Sequence, residues 1–295
     1  MSPRRMRVQC AAKINLYLEV VGRRPDGYHD IETLFQPVSL LDEITIEGSV
    51  PGISLRGSDR SIPWDDANLC WRAAAAAFEA AGREPAVSIA VEKRIPAGAG
   101  LGGGSSDAAG VLAGVDALFG LGLGPDGLAG LALGLGSDVP FFLFGSPAVG
   151  RGRGEILEPT EGVPWGWIVL GMPTLTVSTS WAYASLKILL TRPEGGPTLG
   201  ALIEALKGFP DTALDTYNSF QEAAVGHYPE IGEILAVMRG EGALLSAMSG
   251  SGSSCFALFG EPEAAAGTRD RLIKQGFSSW VVRPARRAMV LLQEG

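Results

Sequence analysis

A lysine set in an apolar segment and an aspartate set between a glycine and an apolar run are the two residues here best placed for proton and phosphate chemistry. Lys13 lies in Ala12-Lys13-Ile14-Asn15-Leu16, and Asp138 in Gly136-Ser137-Asp138-Val139-Pro140-Phe141-Phe142. A carboxylate can accept the proton of an attacking hydroxyl, and a nearby ammonium keeps it ionised and oriented. Each residue also has a plainer reading. Lys13 can point outward from a half-exposed edge strand, and Asp138 can cap or turn the chain. Between them lies Gly98-Ala99-Gly100-Leu101-Gly102-Gly103-Gly104-Ser105-Ser106-Asp107, with five glycines and two hydroxyls in ten residues. Glycine allows sharp turns and close approach to a ligand. A strand-like segment (87–91) precedes the run and an apolar, helix-like one (108–119) follows it. Ser105 or Ser106 can cap that helix, whose free N–H groups and positive end then face an anion. The expectation is a phosphate cradle rather than a flexible linker, because both flanks carry secondary-structure signals.

Three phosphate-loop patterns compete. A Walker A loop requires Gly-Lys-Ser/Thr after its glycines, and this run has Gly-Gly-Ser-Ser. The dinucleotide fingerprint G-x-G-x-x-G is met by Gly98, Gly100 and Gly103, but residues 92–97 separate it from the preceding strand. The third pattern, Pro-x-x-x-Gly-Leu-Gly-x-Gly-Ser-Ser, matches Pro96-Ala97-Gly98-Ala99-Gly100-Leu101-Gly102-Gly103-Gly104-Ser105-Ser106 throughout. It is the loop of the GHMP small-molecule kinases. Further segments are similar to that family: Ala11–Leu16, Asp26-Gly27-Tyr28-His29, Thr33-Leu34-Phe35, Ser137–Phe142 and the second small-residue turn Met248-Ser249-Gly250-Ser251-Gly252-Ser253. Together they span nearly the whole chain. The Ala-Lys-Ile-Asn-Leu and Asp-Gly-Tyr-His segments resemble the branch that phosphorylates 4-diphosphocytidyl-2-C-methyl-D-erythritol in the non-mevalonate isoprenoid route.

The resemblance implies two α+β domains, the first like ribosomal protein S5 domain 2 and the second ferredoxin-like, with the site in the cleft between them. It implies ATP as donor, accompanied by Mg²⁺, and a cytidine diphospho-polyol as acceptor. Lys13 and Asp138 match the catalytic pair, with Asp138 as base toward the 2-hydroxyl. The residues from Pro96 to Ser106 match the ATP-phosphate loop, and Asn68 and Lys93 fall where the family lines the nucleotide pocket. Asn15, Tyr28 and His29 match the acceptor site, and Tyr183 is a second aromatic wall. An aromatic ring can stack on a pyrimidine, and the polar atoms of a histidine segment can read its edge. The chain departs from the pattern at Asp107, where asparagine is frequent, at Ser137, where alanine is, and at Ser178-Thr179-Ser180, which replaces a Pro-containing segment. The rival readings are a mevalonate- or homoserine-type kinase, a non-catalytic nucleotide- or sugar-binding protein of the same fold, and a dinucleotide-dependent oxidoreductase.

The rest of the chain must position these residues. At 295 residues, 46% hydrophobic and 19% charged, it can bury a substantial core. A net charge of −8 argues against general nucleic-acid binding. The local clusters Arg4, Arg5, Arg7 and Arg283, Arg286, Arg287 read as solvated terminal segments. Cys10, Cys70 and Cys255 show neither metal-ligand spacing nor a disulfide framework, which suits a reducing cytosol. Residues 1–10 lack the apolar core of a signal peptide, and the longest apolar stretch (108–136) is broken by Asp116, Pro125, Asp126 and repeated glycines. Two histidines leave little material for a histidine metal site.

Hydrophobic periodicity predicts one or two strands over 8–21, strands over 31–41, 43–47 and 87–91, and a loop or hairpin over 48–66. An Ala-rich helix is expected over 68–81, capped by Asp65 or Asp66. A short helix is expected over 128–135, and a turn over 136–140. The Gly/Pro/charged segment 151–164 reads as the junction between domains 1–155 and 156–295. Beyond it, strands are expected at 167–172, 244–248, 255–258 and 279–282, and helices at 180–190, 198–207, 228–238 and 264–275.

Overall fold

The computed structural model describes residues 5–186 and 195–294. Two long strands form its spine. β1 (Arg5–Arg23) and β2 (His29–Gly48) pair antiparallel around the turn at 24–28; β1 is a single strand, and β2 runs through two segments expected to be separate. Register shifts at Ala11/Ala12, Asn15/Tyr17 and Val20/Gly22 let so long a pair bend. β3 (Gly52–Gly57) lies in the segment expected to be a loop or hairpin and instead pairs parallel with β4 (Ala86–Glu92). With β5 (Ala148–Arg151), β6 (Ile156–Pro159) and β11 (Met289–Glu294) they make a seven-stranded sheet of order β11-β1-β2-β4-β3, with β5 on β2 and β6 on β5.

β11 flanks β1 only over residues 5–10; at Lys13 the glycine loop covers that side, the Lys13 N–H donating to the Leu101 carbonyl at 2.9 Å, so Lys13 is only 3% exposed rather than on a half-exposed edge. The expected break at 155/156 falls inside the β5–β6 hairpin, and the C-terminal strand β11 returns to the first sheet. Arg5 and Arg7 pair with Glu47 and Glu43 across β1–β2, and Arg283 lies on the Trp167 ring; Arg4 lies outside the described residues.

Helices α1 (Leu69–Ala80), α2 (Gly103–Phe119), α3 (Gly124–Leu135) and α4 (Val139–Phe144) cover one face of this sheet. The Asn68 side chain, not Asp65 or Asp66, caps α1 by accepting from the Cys70 N–H. α2 starts five residues earlier than its apolar pattern suggests. Gly102, in a left-handed conformation, holds its N-cap position, and neither Ser105 nor Ser106 caps it. The Ser106 hydroxyl instead donates to the Ala11 carbonyl 2.7 Å away, tying the first turn of α2 to β1.

The second sheet is antiparallel, in the order β10-β7-β9-β8, from β7 (Trp167–Met172), β8 (Leu245–Met248), β9 (Cys255–Phe259) and β10 (Ser278–Val282). That order is the ferredoxin-like one. Around it lie α5 (Thr179–Ser185), α6 (Leu199–Leu206), α7 (Gln221–His227), α8 (Pro229–Gly240) and α9 (Pro262–Lys274). The sequence pattern did not reveal α7, and the end of the helix expected over 180–190 lies outside the described residues. Ile14, Leu16 and Leu34 of the first sheet share one buried cluster with Ile168, Leu170 and Phe256 of the second. The two layers are joined through apolar burial, the dominant favourable term in such packing. The phosphate-loop candidate lies along this seam.

Candidate active site

The cavity at the seam has a volume of about 930 Å³. Into it the fold brings Lys13, Asn15, Tyr28, His29, Gly98, Gly100, Gly102, Ser105, Asp138 and Tyr183, all singled out from the sequence. Lys13 and Asn15 sit two apart on β1 and share a face, so the Lys13 Nζ donates to Asn15 Oδ1 at 2.7 Å. Asn15 Nδ2 donates to Thr33 Oγ1 at 2.8 Å, and Thr33 donates to the Tyr17 carbonyl at 2.6 Å. This buried chain fixes the lysine. Its Nζ lies 3.5 Å from Asp138 Oδ2. Asp138 precedes α4 but its side chain makes no capping bond, and at 37% exposure it faces the cavity. The capping reading of this residue therefore fails, and a carboxylate beside a fixed ammonium stands open to a ligand.

The glycine loop arches over this pair. Gly100 has φ +77°, and a Cβ there would lie 2.6 Å from the Ser249 carbonyl oxygen. Gly102 has φ +72°, and its Cβ would meet Phe142 at 2.8 Å and the Lys13 side chain at 3.1 Å. Both positions require glycine for conformation and for space. The Gly/Ser turn after β8 does more than reverse the chain. Ser249 Oγ accepts from the Asn15 N–H at 3.2 Å and donates to the Gly100 carbonyl at 3.3 Å, and the Ser254 N–H donates to the Ala99 carbonyl at 3.2 Å. The second domain thus clamps the loop onto β1. Asn218 holds that turn in its own place, donating to the Met248 and Gly250 carbonyls at 2.7 and 2.9 Å. No sequence signal marked Asn218.

Not all the loop residues reach the cavity. Ala99 and Leu101 are buried in the core and Ser106 lies beneath the loop, while Pro96, Ala97, Gly103 and Gly104 do not line it. Asn68 and Lys93 do not line it either. Asn68 is occupied as the α1 cap and donates to the Pro63 carbonyl. Lys93 is held under the start of α2 between Asp42 and Asp107, with its Nζ 2.7 Å from Asp107 Oδ2. Asp107 Oδ1 is buried without a hydrogen-bond partner. Burial, opposed by Lys93 and reinforced by Asp42, pushes the Asp107 carboxyl up to about 7. Burial works against the charge on Lys93, yet the two carboxylates outweigh it and raise its pKa.

At the other end of the cavity the His29 and Tyr183 rings stack with centroids 4.7 Å apart and planes 23° apart. Phe220 meets Tyr183 edge-on at 4.9 Å. Burial, with Arg23 adding to it, lowers the His29 pKa, which keeps the imidazole neutral near pH 7 and both a donor and an acceptor. Burial raises the Tyr183 pKa. Tyr28 is exposed, with the Arg153 guanidinium 3.9 Å from its ring centroid. Arg153 was hidden in a stretch that read as a domain junction. The site therefore has three parts: a backbone cradle, a lysine–aspartate pair and an aromatic wall with a neutral imidazole.

Family models match this arrangement in both layers: the GHMP kinases N terminal domain over residues 68–146 and the GHMP kinases C terminal domain over residues 198–278. A 4-diphosphocytidyl-2-C-methyl-D-erythritol kinase of Geobacter sp. (strain M21) is 40% identical over 263 residues, covering 89% of this chain and 92% of the relative. The chain belongs to the GHMP kinases, in the 4-diphosphocytidyl-2-C-methyl-D-erythritol kinase family. The crystal structure of a 4-(cytidine 5'-diphospho)-2C-methyl-D-erythritol kinase superposes with a TM-score of 0.81 at 40% identity, covering 95% of this chain and 99% of that one. A homoserine kinase from Cytophaga hutchinsonii superposes with a TM-score of 0.74 at 19% identity and shares the fold. Among the described residues no helix is long and apolar enough to cross a membrane.

Proposed function

We propose that this protein transfers the γ-phosphoryl group of ATP to the 2-hydroxyl of 4-diphosphocytidyl-2-C-methyl-D-erythritol, a step toward isoprenoid precursors. The observation that carries the reading is the 3.5 Å Lys13–Asp138 pair set in one cavity with the glycine loop and the aromatic wall. Phosphoryl transfer asks the protein for positioning and charge stabilisation more than for covalent chemistry. Asp138 accepts the proton of the acceptor hydroxyl as oxygen attacks the γ-phosphorus, and ADP leaves on the opposite side. Lys13, held by Asn15, orients Asp138 and offsets charge on the phosphoryl oxygens. The loop residues that line the cavity, Gly98, Gly100, Gly102 and Ser105, receive the donor phosphates.

Among the described residues no group of three or more His, Cys, Asp and Glu side chains could hold a metal ion. Oxygen-bearing residues of the cavity lining, Ser105 and Asp138 among them, are of the type that would hold Mg²⁺ arriving on the nucleotide. Held there, Mg²⁺ would supply neutralisation of the charge that develops on the donor phosphates.

Tyr28, His29 and Tyr183 give a pyrimidine a stacking surface and an imidazole to meet its polar edge. Mevalonate and homoserine have no base to use such a wall, which favours the cytidine-bearing acceptor over them. ADP release measured with the cytidine diphospho-polyol, mevalonate and homoserine tests the choice. Turnover with the first alone is expected. Turnover with either of the others and none with the first overturns the reading.

A further inference from the structure

Among the described residues, the cavity lining holds two basic side chains, Lys13 and Arg153. Lys13 is committed to Asn15 and Asp138. Arg153 has no carboxylate in ion-pair range among the described residues. Its Nη2 donates to Ser137 Oγ at 3.0 Å, its guanidinium lies over Tyr28 at 3.9 Å, and its Nε is buried with no hydrogen-bond partner. A buried donor on a charged group is costly to leave unpaired, so a ligand acceptor is the natural partner for it. Arg153 bridges two parts of the cavity lining. Tyr28 belongs to the aromatic wall, and Ser137 adjoins the Asp138 carboxylate. An anion that contacts Arg153 lies beside both.

We propose that Arg153 binds the diphosphate bridge of the acceptor, with Ser137 as the positioning residue that aims its guanidinium. The inference rests on the acceptor reading given above and extends it to the phosphates that join base and polyol. A guanidinium suits this task because its planar fork matches phosphate oxygens and its charge persists at any working pH. Ser137, in place of an alanine, supplies the acceptor that orients the fork. The competing role for Arg153 is to brace the Tyr28 ring and touch no ligand.

Calorimetric titration of the full chain with CDP and with cytidine separates the two roles. The wild type is expected to bind CDP more tightly than cytidine. Arg153→Met is expected to weaken CDP about 10-fold or more, the scale of one lost charge-assisted contact, while cytidine changes less than about 2-fold. In turnover the same variant raises KM for the acceptor and leaves KM for ATP unchanged. Arg153→Gln, which keeps polarity without charge, gives the same selective loss and serves if the methionine variant does not fold. Equal weakening of CDP and cytidine, or undiminished CDP binding, overturns the role of Arg153 and leaves the acceptor reading intact. A folded wild type that binds neither ligand overturns both.

Discussion

Two lysine–carboxylate clusters flank the glycine loop, and they are built for opposite ends. Above it, Lys13 meets one partly exposed carboxylate, Asp138, and one amide, Asn15. Below it, Lys93 is enclosed by Asp42 and Asp107, all three side chains being at most 5% exposed. Asp42 is saturated further by the backbone N–H groups of Arg94 and Ile95. The upper pair keeps a carboxylate open to a ligand, whereas the lower triad gives its charges to one another and fastens β2, β4 and α2 together. Residue type does not distinguish them; openness to the cavity does.

If that contrast is right, substitutions in the two clusters damage different properties. Asp138→Asn removes the proton acceptor and is expected to lower kcat by ~10²–10⁴-fold, with ATP affinity and the melting temperature little changed. Retained turnover would refute the base role. Lys93→Ala leaves two buried carboxylates unpaired and is expected to cost about 3–5 kcal/mol of stability, read by denaturant unfolding. A stable but inactive variant would instead move Lys93 into the catalytic machinery.

The third test uses pH. The native state holds the Asp107 proton up to about pH 7, well above the usual carboxylate value. Its contribution to stability is therefore complete below about pH 4 and falls as pH rises toward 7, since the folded state there binds the extra proton. Asp107→Asn cannot titrate, so wild-type stability should decline relative to that variant between these limits. A constant difference across the range would show that Asp107 stays ionised. The smallest expected effect lies away from both clusters: Asn68→Ala should cost about 1 kcal/mol through loss of the α1 cap. An equal loss of ATP affinity in that variant would make Asn68 part of the nucleotide site.

Much of this contrast was legible beforehand, though unevenly. The apolar alternation around Lys13 and Asn15 announced a strand with both on one face, and the glycine spacing announced a tight loop leading into a helix. Arg153 gave no signal, because an arginine among glycines and charges looks like a solvated connection. β11 and the parallel pairing of β3 were missed for a related reason: short strands are stabilised by neighbours remote in sequence, and local propensity carries little of that information. The start of α2 was misplaced because glycine and serine are poor helix formers, and here the contacts of Gly102, Gly103 and Ser106 with β1 and the loop prevail over propensity.

By itself the sequence determined the local chemistry: a glycine-rich phosphate loop, a lysine, an aspartate and an aromatic–histidine pair, each with a backbone setting that short-range pattern can encode. Only the tertiary structure decided which charges remain available. Lys13 and Lys93 both read as site lysines in the chain, and burial encloses one between two carboxylates while the seam between the sheets exposes the partner of the other. Charge availability depends on desolvation and on groups far away in sequence, so it exists only once the two layers have closed on each other.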